Sequence, residues 1–377
     1  MGIAQKLVRN ALWQVLSFLP KNSKKVVCQS YYGRGYSDSP KALAEELRRR
    51  GWKVYWTVKS QEDALSLPED VTPLVIDSPK AIWHLCTAGA WVDNSRKWAY
   101  TQKRGATRYV QTWHGFPLKR IEGDAAGALD ESYVIAAKKD SAMCDLFLSN
   151  SVFLTEVYRR AFWYQGEVLE CGFPRNDMLF VPDREAENKV RGALGLAEGK
   201  RLALYAPTFR RDQGLQAYDL DCRRLTEALG KRFGGEWLVL AKLHPNIAAK
   251  AGELNLDRRW VVNASGYADI QDLYLACGAL VTDYSSVMFD YMNTGKPCFL
   301  YVNDVESYRG DRNFYFDLDS LPFVRSEDNH ELERAVLEYE EERQRERTAA
   351  FCREWGIKED GSAARRAADW LEGKSKA

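Results

Sequence analysis

Short apolar runs separated by polar, helix-compatible stretches recur along the chain, and their spacing predicts alternating strands and helices. In the first half the runs are Lys25 to Ser30, Val54 to Val58, Leu74 to Ile76, Ala90 to Val92, Tyr109 to Thr112, Leu146 to Leu148 and Val168 to Glu170. In the second half they are Leu202 to Tyr205, Trp237 to Ala241, Trp260 to Val262, Ala279 to Thr282 and Cys298 to Tyr301. Side chains apolar at consecutive rather than alternate positions mark parallel strands covered on both faces. The first run leads into the turn Tyr32-Gly33-Arg34-Gly35-Tyr36 and then a helix from Ser39 to Arg50. Asp38 and Ser39 are its capping candidates, Pro40 sits in its first turn and Gly51 is its stop. The expected fold class is α/β, two Rossmann-like domains facing across a cleft. The first domain is expected over 25–177 and the second over 201–350. Between them the polar segment 178–200, with Pro182, Gly192, Gly195 and Gly199, reads as the interdomain crossing. Helical patterns over 326–347 and 362–371 follow, and the segment 351–377 is expected to return to the first domain.

The segment 1–24 has a pattern of its own. Wound as a helix, Ile3, Leu7, Val8, Ala11, Leu12, Val15, Phe18 and Leu19 share one broad face, with Lys6, Arg9, Asn10 and Ser17 opposite. Lys6, Arg9, Lys21, Lys24, Lys25 and Arg34 all precede the first acidic residue, Asp38. The apolar stretch is too short and too interrupted to span a bilayer. An amphipathic helix lying on an anionic membrane surface is the expectation, with an ordinary helix packed on the neighbouring domain as the alternative.

Composition narrows the function classes. A formal charge of +1 offers no global basic field, so a nucleic-acid partner is not expected. The eight cysteines are scattered without Cys-x-x-Cys spacing, so neither a disulfide frame nor a metal site is expected.

Of only four histidines, two stand directly after predicted strands and directly before a strand breaker: His114 before Gly115, and His244 before Pro245. Open α/β sheets bind ligands at the carboxyl ends of their strands. Two imidazoles at such positions in the two halves suggest transfer chemistry; hydrogen-bonded structural histidines are the alternative. Thr208, Phe209, Arg210 and Arg211 follow the Leu202-to-Ala206 strand and Pro207, and an arginine there carries a planar fork suited to phosphate oxygens. In Val281-Thr282-Asp283-Tyr284-Ser285-Ser286, a strand ends at Asp283 and Ser285 or Ser286 would cap the next helix, aiming free amides at an anion. Asp290, one turn further on, is placed to grip ribose hydroxyls, and a capped helix without a ligand is the alternative.

These segments form a set: Tyr-Gly-Arg-Gly-Tyr-Ser-Asp-Ser-Pro (32–40), Thr-Trp-His-Gly-Phe-Pro-Leu-Lys (112–119), Gly-Phe-Pro-Arg-Asn-Asp (172–177), Tyr-Ala-Pro-Thr-Phe-Arg (205–210), Lys-Leu-His-Pro (242–245) and Thr-Asp-Tyr-Ser-Ser (282–286). In this order, over about residues 25–320, the set resembles the CDP-glycerol glycerophosphotransferases that prime and polymerise teichoic acid. The resemblance implies the two-Rossmann GT-B fold and work at the cytoplasmic face of the cell membrane, as a peripheral protein. It implies that His114 is the base toward the acceptor hydroxyl and that His244 contacts the donor pyrophosphate. Thr208, Arg210, Ser285 and Ser286 would surround the same phosphates, with Asp290 toward the ribose. Lys119, Asn176, Asp177 and Asp283 lie inside matched motifs and are further candidate site residues. Phe116 and Phe209 depart from the family pattern. The implied partners are CDP-glycerol and a prenyl-diphosphate-linked saccharide acceptor. No cofactor is required, although Mg²⁺ is compatible with the donor diphosphate. The chain length is nearer the primases, with glycerol or ribitol phosphate polymerases, capsule polymerases and GT-B sugar transferases as alternatives.

Overall fold

The computed structural model describes residues 3–16, 18–125, 127, 129–181, 185–210, 218–243, 257–305 and 314–374. His244 and Arg211 lie outside the described residues. The chain divides into two compact units, one of residues 1–114, 122–177 and 356–377, the other of 115–121 and 178–355.

In the first unit the described strands are β1 (Asn22–Gln29), β2 (Lys53–Val58), β3 (Thr72–Val75), β4 (Ala88–Asp93), β5 (Arg108–Gln111), β6 (Leu146–Ser149) and β7 (Glu167–Glu170). They form one sheet in the order β3-β2-β1-β4-β5-β6-β7, and each neighbouring pair is parallel. Helices cover the sheet and bury Val26, Cys28, Trp56, Ala90, Val92 and Val110 completely or nearly so, which is why these strands read as unbroken apolar runs. The winding direction reverses between β1 and β4. That gap at the carboxyl edge is the topological switch point, where such sheets receive ligands.

The second unit repeats the plan. Its described strands are β8 (Lys200–Ala206), β9 (Glu236–Ala241), β10 (Val261–Asn263), β11 (Ala279–Thr282), β12 (Cys298–Tyr301) and β13 (Val324–Ser326), again all parallel, in the order β10-β9-β8-β11-β12-β13. Its switch point lies between β8 and β11. The two parallel-sheet Rossmann-like units agree with the expected fold class. β13 escaped the sequence reading because a three-residue edge strand with one apolar side chain carries no pattern.

Three segments differ from expectation. The stretch 178–200 is not only a crossing: the helix Glu185–Leu194 packs on the helix Ile270–Ala276 of the same unit, burying Ala186 and Val190. Their i, i+4 spacing was outweighed by the neighbouring proline and glycines. The segment 115–121 belongs to the second unit, where Lys119 bridges Phe314 and the Leu118 carbonyl accepts from the Tyr315 amide at 2.8 Å. The N-terminal helix Ile3–Leu16 is built into the first unit rather than standing apart. Trp13 is buried there against the edges of Trp91 and Tyr100, and its indole N–H donates to the Gln102 carbonyl at 2.7 Å. The opposite side of that segment, with Val15 and Phe18 at 70% and 76% exposure, faces solvent. Four basic side chains of the cluster offered to anionic lipid have partners within the first unit. Lys21 donates to the Cys86 carbonyl, Lys25 to the Thr87 hydroxyl, Lys24 pairs with Glu372 and Arg9 with Asp77.

The C-terminal helix Ala363–Leu371 contributes Ala363, Ala367, Ala368 and Leu371 to the core of the first unit. Its free N-terminal amides, on Ala363 and Ala364, donate to the two carboxylate oxygens of Asp177 at 2.9 and 2.8 Å. Asn176 donates to Glu359 at 3.2 Å, and Glu359 also accepts from the Phe173 amide. Asn176 and Asp177, candidate site residues in the sequence, are therefore the clasp that fastens this segment.

Candidate active site

The switch point of the first unit is built from three strand ends. After β5, Gln111 fixes the chain by accepting from the Trp113 amide at 2.9 Å, while its own amide donates to the Ser95 carbonyl at 3.0 Å. Trp113 is held at φ +49° and Gly115 at φ +122°. A tryptophan in the left-handed region costs about 1–3 kcal/mol, a strain that the surrounding bonds hold in place. His114 lies between them with its ring stacked on Trp113, centroids 4.2 Å apart. Its Nδ1 is 2.8 Å from the backbone carbonyl of Asn94, just past β4. A carbonyl only accepts, so Nδ1 carries the hydrogen and the neutral ring keeps its lone pair on Nε2. Burial lowers the His114 pKa below its ordinary 6.5, partly offset by the Asn94 bond and the Asp38 carboxylate. The ring is thus neutral near pH 7, the form a general base needs.

A charged framework surrounds it. Asp38, at φ +64° and buried, accepts from Arg175 at 2.9 Å, from the Tyr31 hydroxyl and from the Ser39 amide. Burial pushes its carboxyl up, but Arg175, Tyr31 and Ser39 together hold it below the ordinary value. Arg96 is enclosed between Glu122 at 2.9 Å and Asp140 at 3.3 Å. Asp38, Arg175 and Glu122 all act electrostatically on His114. Sequence reading found His114 and missed this framework. It took Asp38 for a helix cap and assigned no role to Arg175, although both sit in the quoted motifs, because only the strand order shows that residues 38 and 175 meet.

The switch point of the second unit is organised differently. Thr208, after β8, donates through its amide and hydroxyl to Asp283, after β11, at 2.9 and 2.6 Å. Arg210 donates to Asp283 at 2.9 Å, to Asp304 at 2.6 Å and to the Thr208 carbonyl at 2.7 Å, and its side chain is 3% exposed. The Tyr284 ring lies 5.0 Å from the guanidinium, and its hydroxyl donates to Asp304. In this structure the guanidinium grips two carboxylates and ties the ends of β8 and β11 together. Ser286 occupies the N-cap position of the short helix Val287–Tyr291 without a side-chain cap, and the Ser285 hydroxyl lies 3.5 Å from the Val287 amide. Both serines are half-buried, and Asp290 is buried. Lys242, two residues before His244, donates to the carbonyls of Ser265 and Tyr267 at 2.9 and 2.6 Å, anchoring the strand end. Among the described residues no group of three or more histidine, cysteine or carboxylate side chains is arranged to hold a metal ion.

Residues 11–373 match the family model of CDP-glycerol:poly(glycerophosphate) glycerophosphotransferase. The chain is 30% identical to a teichoic acid poly(glycerol phosphate) polymerase of Bacillus spizizenii, covering 97% of this chain and 96% of the relative. It is 31% identical to a teichoic acid glycerol-phosphate transferase of Staphylococcus aureus, covering 96% and 97%. A polymerase of matching length removes the argument from size for a primase. The structure of a histidine-to-alanine variant of the wall teichoic acid polymerase TagF superposes with a TM-score of 0.84 at 26% identity over 99% of this chain and 98% of that one. A histidine variant of TagF soaked with CDPG superposes at 0.82, with 27% identity over 97% and 93%. With two Rossmann-like units, strand-end motifs in order and these matches, the chain belongs to the CDP-glycerol:poly(glycerophosphate) glycerophosphotransferase family, as a transferase of teichoic acid biosynthesis on the GT-B fold.

Proposed function

We propose that the chain transfers glycerol phosphate from CDP-glycerol to a hydroxyl of a prenyl-diphosphate-linked saccharide, releasing CMP, as a peripheral protein on the cytoplasmic face of the cell membrane. One observation carries the reading: His114 has its Nδ1 hydrogen committed to Asn94, leaving Nε2 as the proton acceptor at a switch point. Nε2 takes the proton of the acceptor hydroxyl as that oxygen attacks the β-phosphorus of the donor. The new P–O bond forms as the bond to the bridging oxygen breaks, and CMP leaves with that oxygen. Such a transfer depends on positioning and on charge stabilisation at the phosphates. His244, Ser285 and Ser286 take the second role in this reading, with Arg210 holding Asp283, two residues before Ser285, in place. Support for the donor comes from the family and from the CDPG-soaked TagF variant. Support for a membrane surface comes from the exposed Val15 and Phe18, while no described helix is long and apolar enough to cross a membrane.

The test is nucleotide release. Purified protein with CDP-glycerol and a lipid-linked disaccharide is expected to yield CMP, and none of UDP or GDP from sugar donors. Release of UDP or GDP without CMP would replace this reading with a sugar transferase. Mass spectrometry of the same product counts the units added and separates a primase from a polymerase.

A further inference from the structure

Beside His114 the first unit presents three half-exposed aromatic rings. Tyr31, Tyr32 and Trp98 are 38%, 37% and 38% exposed. The Tyr32 and Trp98 centroids are 5.2 Å apart, and the Tyr31 ring lies 6.0 Å from the His114 ring. Large rings left open to water are uncommon without a reason, and these are held open by construction. Tyr31 and Tyr32 take φ +44° and +59°, two consecutive left-handed residues with full side chains. Their amides donate to the side chains of Asn94 and Ser95, at 2.8 and 3.3 Å. Strain over-determined in this way concentrates at ligand sites.

Asn94 joins the rings to the base. Its side-chain oxygen holds the Tyr31 amide and its backbone oxygen holds His114 Nδ1. The residue is fully buried, and its side-chain nitrogen has no hydrogen-bond partner among the described residues. An unsatisfied buried donor is a costly feature that a bound hydroxyl or an ordered water would relieve.

The geometry points to Tyr31, Tyr32 and Trp98 as the subsite for the acceptor saccharide, the rings receiving the C–H face of a pyranose and so setting its hydroxyl before His114 Nε2. This rests on the proposed function and adds to it the chemical class that the site recognises. Aromatic faces suit the apolar side of a sugar ring, whereas a poly(glycerol phosphate) chain calls for cations. Two basic side chains close to His114, Arg96 and Arg175, are both ion-paired with carboxylates.

The test uses the full chain, CDP-glycerol and two acceptors on the same short, soluble diphosphate-linked tail, one ending in a disaccharide and the other in an oligo(glycerol phosphate). In Trp98→Ala and in Tyr32→Ala the KM for the disaccharide acceptor is expected to rise about tenfold, the scale of one lost ring contact. The KM values for CDP-glycerol and for the oligo(glycerol phosphate) acceptor should stay near wild type, and Trp98→Phe should recover most of the loss. An unchanged disaccharide KM in both alanine variants, or an equal rise for both acceptors, overturns the subsite alone. A wild type that uses only the oligo(glycerol phosphate) acceptor overturns the subsite and the saccharide acceptor of the proposed function, and leaves its donor standing. A wild type releasing no CMP with either acceptor overturns the proposed function and the subsite with it.

Discussion

The two units place their chemistry-bearing residues at the same address, the carboxyl edge where the strand order reverses, and then use that address in opposite ways. In the first unit the polar framework stops short of saturation: His114 gives one ring nitrogen to Asn94 and keeps the other as an acceptor. In the second the guanidinium of Arg210 is taken up by Asp283, Asp304 and the Thr208 carbonyl. A switch point alone therefore does not identify a reacting group. What separates the two among the described residues is a ring nitrogen left open in one and a guanidinium already paired in the other.

Three substitutions sharpen this contrast, in order of expected size. His114→Ala should lower transfer by roughly 10²- to 10⁴-fold, the usual worth of a general base, while leaving CDP-glycerol binding by calorimetry and the urea midpoint near wild type. Turnover close to wild type would remove His114 from the chemistry. Arg210→Ala should do the reverse and act first on stability. It strands the buried Asp283 and the partly buried Asp304, at a cost of about 3–5 kcal/mol in urea unfolding. Unchanged stability with only a raised donor KM would restore Arg210 as a phosphate ligand.

Asp38→Asn separates framework from base through pH. The His114 pKa is lowered by burial and Arg175 and raised by the Asn94 bond, Asp38 and Glu122. In the wild type the base form already dominates at neutrality, so kcat/KM should fall only as pH drops below 6.5. Removing the Asp38 charge while Arg175 stays positive favours the neutral ring further, moving the acid limb to lower pH. The plateau should drop by roughly tenfold, the scale of one charge-assisted hydrogen bond of about 1.5 kcal/mol. A lower plateau with an unmoved limb would reduce Asp38 to a structural role.

Much of the fold could be read from the chain because a strand packed on both faces writes itself as an unbroken apolar run. Residues 279–282 and 298–301 were delimited to the residue, as β11 and β12. β13 was not, having one apolar side chain. The site was legible where a side chain and its breaker are neighbours, as at His114 and Gly115. It was illegible where function depends on pairs such as Asp38 with Arg175, 137 residues apart. Periodicity gives the strands but not their lateral order, and that order alone brings the ends of β1, β4 and β5 together. The setting of Asn176 and Asp177 was illegible for the same reason, since their partners, Glu359 and the amides of Ala363 and Ala364, lie 183, 186 and 187 residues along the chain.

That helix sets a condition on biosynthesis. Domains commonly fold in the order in which they emerge from the ribosome. Here the hydrophobic interior of the first unit waits for Ala367, Ala368 and Leu371, and Asp177 waits for the amides of Ala363 and Ala364. The second unit is translated completely in the interval. The half that carries His114 is therefore the last to be sealed, and a nascent or truncated chain ending before residue 363 lacks the piece that closes it.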